Sequence, residues 1–175
     1  MTGGQQASAG RVRTGLPWWA LAAAVVFADF LTNHWIRLEL PQGAVVPLAS
    51  FFNLVSARNS GAAFSMFSDA GSWSRYILIG VAVVVSVVLV WLLTTRVKRL
   101  EGLAYGLVLG GAVGNAVDRW VYGRVTDFLD FHVAGWHWPA FNVADIAICS
   151  GVASLLISTF ASERDHLRSP AHKER

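Results

Sequence analysis

The sequence predicts an all-α integral membrane protein with four transmembrane helices and a small strand-rich region between helices 1 and 2. Only 14% of its residues are charged and 54% are hydrophobic, whereas soluble domains carry about 25% charged residues. Four stretches are also long and apolar enough to cross a bilayer, which needs roughly 20 such residues. With 175 residues, the chain has room for one membrane domain over residues 1–175 and little room for a second.

The four predicted helices cover about residues 16–36, 73–95, 100–120 and 139–161. The second has no charge from Tyr76 to Thr95 and therefore no polar face for water, which weighs against a soluble protein with buried helices. The first has the basic flank and apolar run of a signal peptide. It lacks a small-x-small cleavage site and continues past Asp29, so we expect a retained helix.

The region of about residues 39–72 differs from the apolar segments on either side. Pro41, Gly43, Pro47 and Gly61 interrupt short apolar runs, a pattern typical of short strands and turns rather than a helix. Its aromatic residues are expected at the outer membrane interface, where tryptophan is also enriched. The tryptophans expected at that depth are Trp73, Trp120, Trp136 and Trp138.

The basic residues predict the orientation. Clusters precede the first segment, separate the second from the third, and follow the fourth: Arg11 and Arg13; Arg96, Lys98 and Arg99; Arg164, Arg168, Lys173 and Arg175. Four spans place all three clusters on one side, which the positive-inside tendency makes the cytoplasm. Both termini are then cytoplasmic, and residues 39–72 and 121–138 face outward. This explains the net charge of +3 without a nucleic-acid partner. The first ten and last dozen residues are expected to be disordered.

The third segment carries a glycine every fourth residue, at Gly102, Gly106, Gly110 and Gly114. This spacing forms a stripe on one helix face, where a neighbouring backbone can approach closely. We therefore expect tight packing there, close enough for polar side chains on adjacent helices to meet.

Two acids at the outer border, Asp127 and Asp145, are the candidates for catalysis. A carboxylate beside an apolar segment is costly to desolvate and is rarely kept without a use. If the two meet, one can hold a proton while the other stays charged. The charged one can deprotonate a water, and the protonated one can polarise a peptide carbonyl and protonate the leaving amine. The pair would then act as an aspartyl hydrolase.

Other polar residues share helix faces with these segments. Asn115, Asp118 and Arg119 are spaced to lie on one face. Asp118 beside Arg119 suggests mutual neutralisation, or simply a pair that holds helix ends together. Asn142 lies on the same face as Asp145. Asp29 shares a face with Thr32 and Asn33, and is as consistent with a solvated interfacial acid as with a functional one.

No competing catalytic set emerges from the sequence. His132 and His137 lack a third ligand at a suitable spacing, so no metal site is expected. Cys149 falls in the middle of the fourth segment and is expected to be a small buried hydrophobe. No cofactor is expected.

Five motifs taken together resemble the lipoprotein signal peptidase (signal peptidase II) family. In order they are Asp29-Phe-Leu-Thr-Asn33, Asn59-Ser-Gly-Ala-Ala-Phe64, Gly110-Gly-Ala-Val-Gly-Asn115-Ala-Val-Asp118-Arg119, Val125-Thr-Asp127-Phe128 and Phe141-Asn142-Val-Ala-Asp145. The third and fifth are specific, and the resemblance runs from about Pro17 to Ala161. One position departs from it, because the first motif usually ends in lysine and here ends in Asn33.

The resemblance implies a four-helix aspartyl peptidase of the bacterial cytoplasmic membrane, with an extracytoplasmic strand-rich cradle and its active site near that side. Its partners would be the lipid bilayer and prolipoproteins whose cysteine carries diacylglyceryl, with cleavage just before that cysteine. Asp127 and Asp145 would be the catalytic pair. The residues expected to support the site or hold substrate are Asp29, Asn59, Asn115, Asp118, Arg119 and Asn142.

Two other functions remain possible from the sequence. A small proton or ion transporter also uses membrane carboxylates, but it would distribute them through the membrane depth or pair broken helices. Here the acids gather toward one border. An assembly subunit that uses only the glycine stripe would leave the acids unexplained.

Overall fold

A computed structural model describes residues 11–12, 15–61 and 73–168 of the chain. Within these residues the elements are, in order, β1 (Arg11–Val12), α1 (Leu16–Glu39), β2 (Val45–Ala49), β3 (Phe52–Asn59), α2 (Trp73–Leu93), β4 (Val97–Lys98), α3 (Arg99–Tyr122), β5 (Val125–Val133), β6 (Trp136–His137) and α4 (Val143–Arg168). Of the ends expected to be disordered, residues 1–10 and 169–175 lie outside the described residues, and α4 continues to Arg168.

The four predicted membrane helices are confirmed, since α1, α2, α3 and the Val143–Ala161 part of α4 are each long and apolar enough to cross a membrane. The most apolar is α2, with a mean hydropathy of 2.9. The fourth helix begins at Val143 rather than near residue 139. Phe141 forms a β-bridge with Leu129, and an extended bridge residue cannot also be helical.

Helix α3 is the centre of the bundle and packs against α1, α2 and α4. The glycine stripe explains the close approach of α1. A Cβ built on Gly110 would lie 2.6 Å from Cβ of Val25, and one on Gly114 would lie 2.9 Å from Oδ2 of Asp29. The expected tight packing at this stripe is therefore confirmed, and it brings α1 polar side chains against α3.

Helix α3 ends at a glycine that turns the chain into the sheet. Gly123 has φ of +74° in the left-handed region, and its N–H donates to the carbonyl of Arg119 at 3.0 Å. Residues with a Cβ are disfavoured in that conformation. The turn lets β5 start at Val125, two residues before Asp127.

A four-stranded antiparallel sheet stands at this end of the bundle, in the order β2-β3-β5-β6. The strands expected between helices 1 and 2 are present as β2 and β3. The other two strands, β5 and β6, were not predicted from the sequence and come from the connection between α3 and α4. Phe52 of β3 pairs with Phe131 of β5, and Asn59 pairs with Val125. The sheet therefore joins both connections at this end of the bundle.

At the opposite end of the helices, the short strands β1 and β4 pair with each other. Arg11 lies beside Lys98 and Val12 beside Val97. This places the chain just before α1 next to the α2–α3 connection. Two of the three basic clusters therefore lie together, as an even number of crossings requires.

The expectation for Cys149 is wrong, because the structure shows this residue exposed on the outer surface of α4. Between them, α3 and α4 bury a different set of small residues, including Gly111, Ala144 and Gly151. Cys149 points away from that contact.

Candidate active site

Asp127 and Asp145 come from different elements and meet around one asparagine. Asp127 lies on β5 and is 3% exposed, while Asp145 lies half-buried in the first turn of α4. Nδ2 of Asn142 donates to Oδ1 of Asp127 at 3.0 Å. Oδ1 of the same side chain accepts from the N–H of Asp145 at 3.0 Å. Asn142 thus ties the two acid-bearing segments together.

Asn142 and Asp145 also form the start of α4. Asn142 precedes the first helical residue, and its own N–H donates to Oδ2 of Asp145 at 3.4 Å. Together with the bond from the Asp145 N–H, this reciprocal pair is a capping box made of Asn and Asp. It satisfies N–H groups that a helix start otherwise leaves unpaired. The same bonds fix the Asp145 side chain over the helix end.

Two further asparagines hold the acids. Nδ2 of Asn115, on α3, donates to Oδ1 of Asp145 at 2.9 Å, and Oδ1 of Asn115 lies 3.4 Å from Nδ2 of Asn142. The side chain of Asn59, at the end of β3, hydrogen-bonds Asp127. Each carboxylate therefore touches an asparagine from a separate element as well as Asn142.

The environment of Asp127 favours its protonated form. Burial, and next the nearby charge of Asp145, raise the pKa of Asp127 to about 7. Hydrogen bonds from Asn59 and Asn142 and the charge of Arg119 act in the opposite direction. A carboxyl group with this pKa is partly protonated at neutral pH and can donate a hydrogen bond there.

Arg119 hydrogen-bonds backbone carbonyls and makes no ion pair with its neighbour Asp118. Its Nη2 donates to the carbonyl of Gly61 at 2.8 Å and its Nη1 to the carbonyl of Asn115 at 3.2 Å. Asp118 and Arg119 therefore do not form the direct pair that their adjacency suggested, and the ion-pair partner of Asp118 is Arg37. Adjacent helical residues point about 100° apart, so each side chain meets a different neighbour.

Asp118 belongs to a second polar network, between α1, α3 and β5. Its Oδ2 lies 3.0 Å from Nη1 of Arg37 and accepts from Nδ2 of Asn33 at 3.1 Å. It also accepts from the N–H of Thr126 at 3.3 Å. This carboxylate thus holds α1 and the start of β5 to the end of α3.

Asp29 connects the second network to the acids. It is 1% exposed, so a solvated interfacial acid is excluded. Its Oδ2 accepts from Asn33 at 3.0 Å, and its Oδ1 accepts from the N–H of Ala144 at 3.0 Å. Ala144 precedes Asp145 in the first turn of α4. Asp29 therefore positions the helix start that carries one of the two acids.

Two residues of this network, Arg37 and Thr126, were not predicted from the sequence to belong to a site. Yet Asp29, Asn33 and Arg37 recur every fourth residue, which places them on one face of α1. A polar stripe on an apolar helix was the signal that could have identified Arg37.

Beyond the acids, the sheet carries an aromatic cavity of about 500 Å³, lined by Phe51, Phe131, His132, Val133, Trp136, Trp138 and Phe141.

Beside the cavity, His132 and His137 stack with ring centroids 4.9 Å apart, and Nδ1 of His137 lies 2.9 Å from Oδ1 of Asp130. Although burial opposes it, hydrogen bonds from Asn53 and His137 lower the pKa of Asp130. No group of three or more metal-binding side chains occurs among the described residues.

Four apolar helices with one buried and one half-buried acid near each other at one end fit a membrane hydrolase of the aspartic type. The model of the family described as signal peptidase (SPase) II matches residues 21–161. This chain belongs to the signal peptidase II family, an aspartic-type class of membrane protease, and the resemblance seen in the sequence is confirmed.

Relatives and solved structures agree with this assignment. A protein described as lipoprotein signal peptidase from Yersinia enterocolitica is 46% identical over 151 residues, covering 85% of this chain and 89% of the relative. Its counterpart from Yersinia pestis (strain Pestoides F) is 45% identical over the same length. A bacterial membrane enzyme solved by the in meso method at 2.3 Å shares the fold, with a TM-score of 0.80 at 24% identity, covering 95% of this chain and 99% of that one. A second, solved at 1.9 Å, has a TM-score of 0.71 at 27% identity, covering 82% and 92%.

Proposed function

We propose that this protein removes signal peptides from diacylglyceryl-modified bacterial prolipoproteins, with Asp127 and Asp145 as its catalytic pair. The observation that carries the proposal is the junction at Asn142, whose side chain donates to the carboxyl group of Asp127 and whose N–H donates to that of Asp145, at the end of an apolar bundle. Membership in the signal peptidase II family supports the reaction. Asn59, Asn115 and Arg119 hold the acids or the substrate backbone.

The chemistry assigns one role to each acid. Asp127 holds the shared proton, because its pKa is raised to about 7, and it polarises the carbonyl of the bond to be cut. Asp145 accepts a proton from a water whose oxygen attacks that carbonyl carbon. The tetrahedral intermediate then collapses, the C–N bond breaks, and the amine of the cysteine leaves with a proton from the pair.

We also propose that the sheet and the acids face the outside and that both termini are cytoplasmic. The basic residues support this orientation. Arg11 and Lys98 lie together at the end of the bundle opposite the sheet, and α4 returns toward that end. The positive-inside tendency assigns such a side to the cytoplasm. The whole chain then forms one membrane domain in the bacterial inner membrane.

The lipid of the substrate would reach the site sideways from the bilayer. The acids lie at the end of the spanning helices, so the diacylglyceryl chains can stay in hydrocarbon while the peptide is cut. Each methylene kept out of water is worth roughly 0.8 kcal/mol. The aromatic cavity beside Phe141 would hold the peptide part. Phe64 and Phe67, expected to join this aromatic group, lie outside the described residues.

A cleavage assay with matched substrates tests the proposal. The purified full-length chain, in lipid–detergent micelles, is given one prolipoprotein with and without its diacylglyceryl group. We expect cleavage just before the lipidated cysteine and far weaker activity on the unmodified form. Equal cleavage of both forms would contradict the entry of lipid from the membrane.

The alternative, a small proton or ion transporter, is not favoured. The buried acids of the described residues, Asp29, Asp118, Asp127 and Asp130, gather toward the sheet end of the bundle, and α2 carries no acid. Proton flux measured in proteoliposomes is the direct comparison. Flux by the unmodified chain that is lost in Asp127→Asn, together with no cleavage by the unmodified chain, would support transport instead.

A further inference from the structure

We propose that Arg37 is a positioning residue for the reaction, which fixes the start of β5 and thereby the carboxyl group of Asp127. The inference rests on the proposed function, because it assigns Arg37 a part in the same cleavage. Arg37 touches neither acid. It acts through Asp118 and Thr126, and no motif of the sequence includes it.

The contacts of Arg37 converge on one nitrogen. Nη1 lies 3.1 Å from Oδ1 and 3.0 Å from Oδ2 of Asp118, and it donates to Oγ1 of Thr126 at 2.9 Å. The two charged side chains are 10% and 2% exposed, so the pair is shielded from water. The guanidinium also stacks on Tyr122, with Cζ 3.9 Å from the ring centroid. Arg37 is therefore held in one place by α3 and β5.

Thr126 transmits this constraint to the acid. Its hydroxyl contacts Arg37 and its N–H donates to Asp118. Its carbonyl accepts from Nδ2 of Asn142 at 3.3 Å, the same nitrogen that donates to Asp127. Thr126 is thus bonded on one side to the ion pair and on the other to the asparagine that joins the two acids. The next residue along the strand is Asp127.

A cation is required at this place. The carboxylate of Asp118 is almost fully buried, and a buried charge without a partner is strongly unfavourable. Asn33 contacts this carboxylate only through its neutral amide. Position 33 is the one at which the resemblance to the signal peptidase II family predicts lysine. Arg37 stands one helical turn further on the same face of α1 and supplies the positive charge there.

The first test compares Arg37→Met with Arg124→Gln in the full-length protein. Arg124 is exposed on the connection between α3 and β5 and is the matched control. We expect Arg37→Met to lower kcat on lipidated prolipoprotein on the order of 10- to 100-fold, because small displacements of a reacting group have effects of that size. KM should change less than threefold, and Arg124→Gln should match the unmodified chain. A kcat for folded Arg37→Met within twofold of the unmodified protein would overturn the proposal.

A second pair of variants avoids exposing a buried charge. Thr126→Val keeps the shape of the side chain and removes its hydroxyl, whereas Thr126→Ser keeps the hydroxyl. We expect Thr126→Val to lower kcat at least fivefold, and Thr126→Ser to recover most of that loss. Equal kcat values for the two variants would show that the Arg37–Thr126 contact does not position Asp127.

A rescue experiment tests the need for a cation beside Asp118. In the Arg37→Met background, Asn33→Lys should restore part of kcat, since the side chain at position 33 already contacts Asp118. The absence of any restoration would count against the proposal.

Hydrogen exchange separates this inference from the proposed function. If the unmodified chain cleaves no lipidated prolipoprotein, the proposed function fails. Exchange of the amides of residues 125–128 then decides the role of Arg37. Faster exchange there in Arg37→Met and Thr126→Val, with unchanged exchange in α2, supports positioning. Unchanged exchange at 125–128 in both variants overturns it.

Discussion

Nδ2 of Asn142 donates a hydrogen bond of 3.0 Å to Oδ1 of Asp127. The donor caps the start of α4 and the acceptor lies on β5, so the bond sets the position of a strand acid relative to a helix acid. Few side chains can do this, because the same amide must also accept from the N–H of Asp145. An asparagine offers both a donor and an acceptor in one planar group.

Asn142→Ala should therefore lower kcat by about 100-fold, since both acids lose their common support. Loss of the helix cap should reduce the free energy of unfolding by only about 1 kcal/mol. Asn53→Ala is the matched control. Nδ2 of Asn53 donates a hydrogen bond of 2.8 Å to Oδ2 of the buried Asp130, and this contact involves neither Asp127 nor Asp145. It should reduce stability with little effect on kcat. Similar kcat losses in both variants would indicate a general structural effect.

Asp127→Asn and Asp145→Asn should each abolish cleavage, because an amide can neither accept the proton of water nor donate a carboxyl proton. Both proteins should still insert and fold, as judged by thermal unfolding in detergent. Cys149→Ala is the control and should retain full activity, since the thiol is exposed on the outer surface of α4 and an aspartyl mechanism needs no thiol. Turnover by either well-folded asparagine variant would remove the assignment of the catalytic pair.

The pKa of Asp127 predicts a pH dependence of both activity and stability. Cleavage should decline as pH rises above about 7, where this group loses its proton. Its folded pKa also lies above the ordinary value of 3.8, so the folded state binds more protons than the unfolded state between about 4 and 7. Stability should therefore fall as pH rises through that window.

Asp127→Asn should flatten this dependence of Tm on pH, and thermal unfolding between pH 4 and 8 is the measurement. The variant should be more stable than the unmodified chain at pH 8, since it no longer buries an ionised carboxylate there. An identical Tm profile for the two proteins would show that Asp127 titrates at its ordinary pKa.

Asp118→Asn should act mainly through stability. The substitution leaves the buried guanidinium of Arg37 without its ionic partner, a change that typically costs about 3 kcal/mol or more. Oδ1 of asparagine can still accept from Thr126, so the position of β5 is partly kept. We expect a lower Tm and cleavage that remains well above that of Asp127→Asn. A catalytic defect as large as that of the acids, at normal Tm, would contradict this prediction.

The glycine stripe gives a prediction about packing. Gly110→Ala should destabilise the bundle by about 1–3 kcal/mol, as overpacked cores do, because the new Cβ would lie 2.8 Å from the carbonyl oxygen of Ala22. Gly80→Ala on α2 is the matched control, since no heavy atom lies within 4 Å of its Cβ position. Unfolding of both variants in mixed micelles measures the difference. Equal stabilities would mean that α1 can move away from α3 at little cost.

Composition and hydropathy were sufficient to predict the four helices, because a membrane span is a local property of about 20 residues. The strands β2 and β3 were predicted for a similar reason, since Pro41 and Gly43 precede the pair and Gly61 follows it. β5 was missed although nine residues of strand-forming character lie between Gly123 and Gly135. Asp127 in this segment was interpreted as catalytic rather than as part of a strand. The pairing of β5 with β3 joins positions far apart in sequence, so no local pattern indicates it.

The polar contacts could be predicted only where helical spacing determines them. Asn33 bonds Asp29 four residues earlier on the same helix, as the periodicity of α1 indicates. Asp118 forms its ion pair with Arg37, which lies on another helix, and not with its sequence neighbour Arg119. The choice depends on which helices pack together, and the glycine stripe alone does not specify their rotation.

The sheet that unites two distant connections also sets when the protein becomes active during synthesis. β3 emerges from the ribosome long before its partner β5, and the asparagine that joins the acids lies just ahead of the last helix. A nascent chain with three helices has the strand acid but neither Asn142 nor Asp145. With Asp127 and Asp145 as the proposed catalytic pair, we expect the protease to be inert until its fourth helix has entered the membrane, so a chain truncated before α4 should not cleave its neighbours.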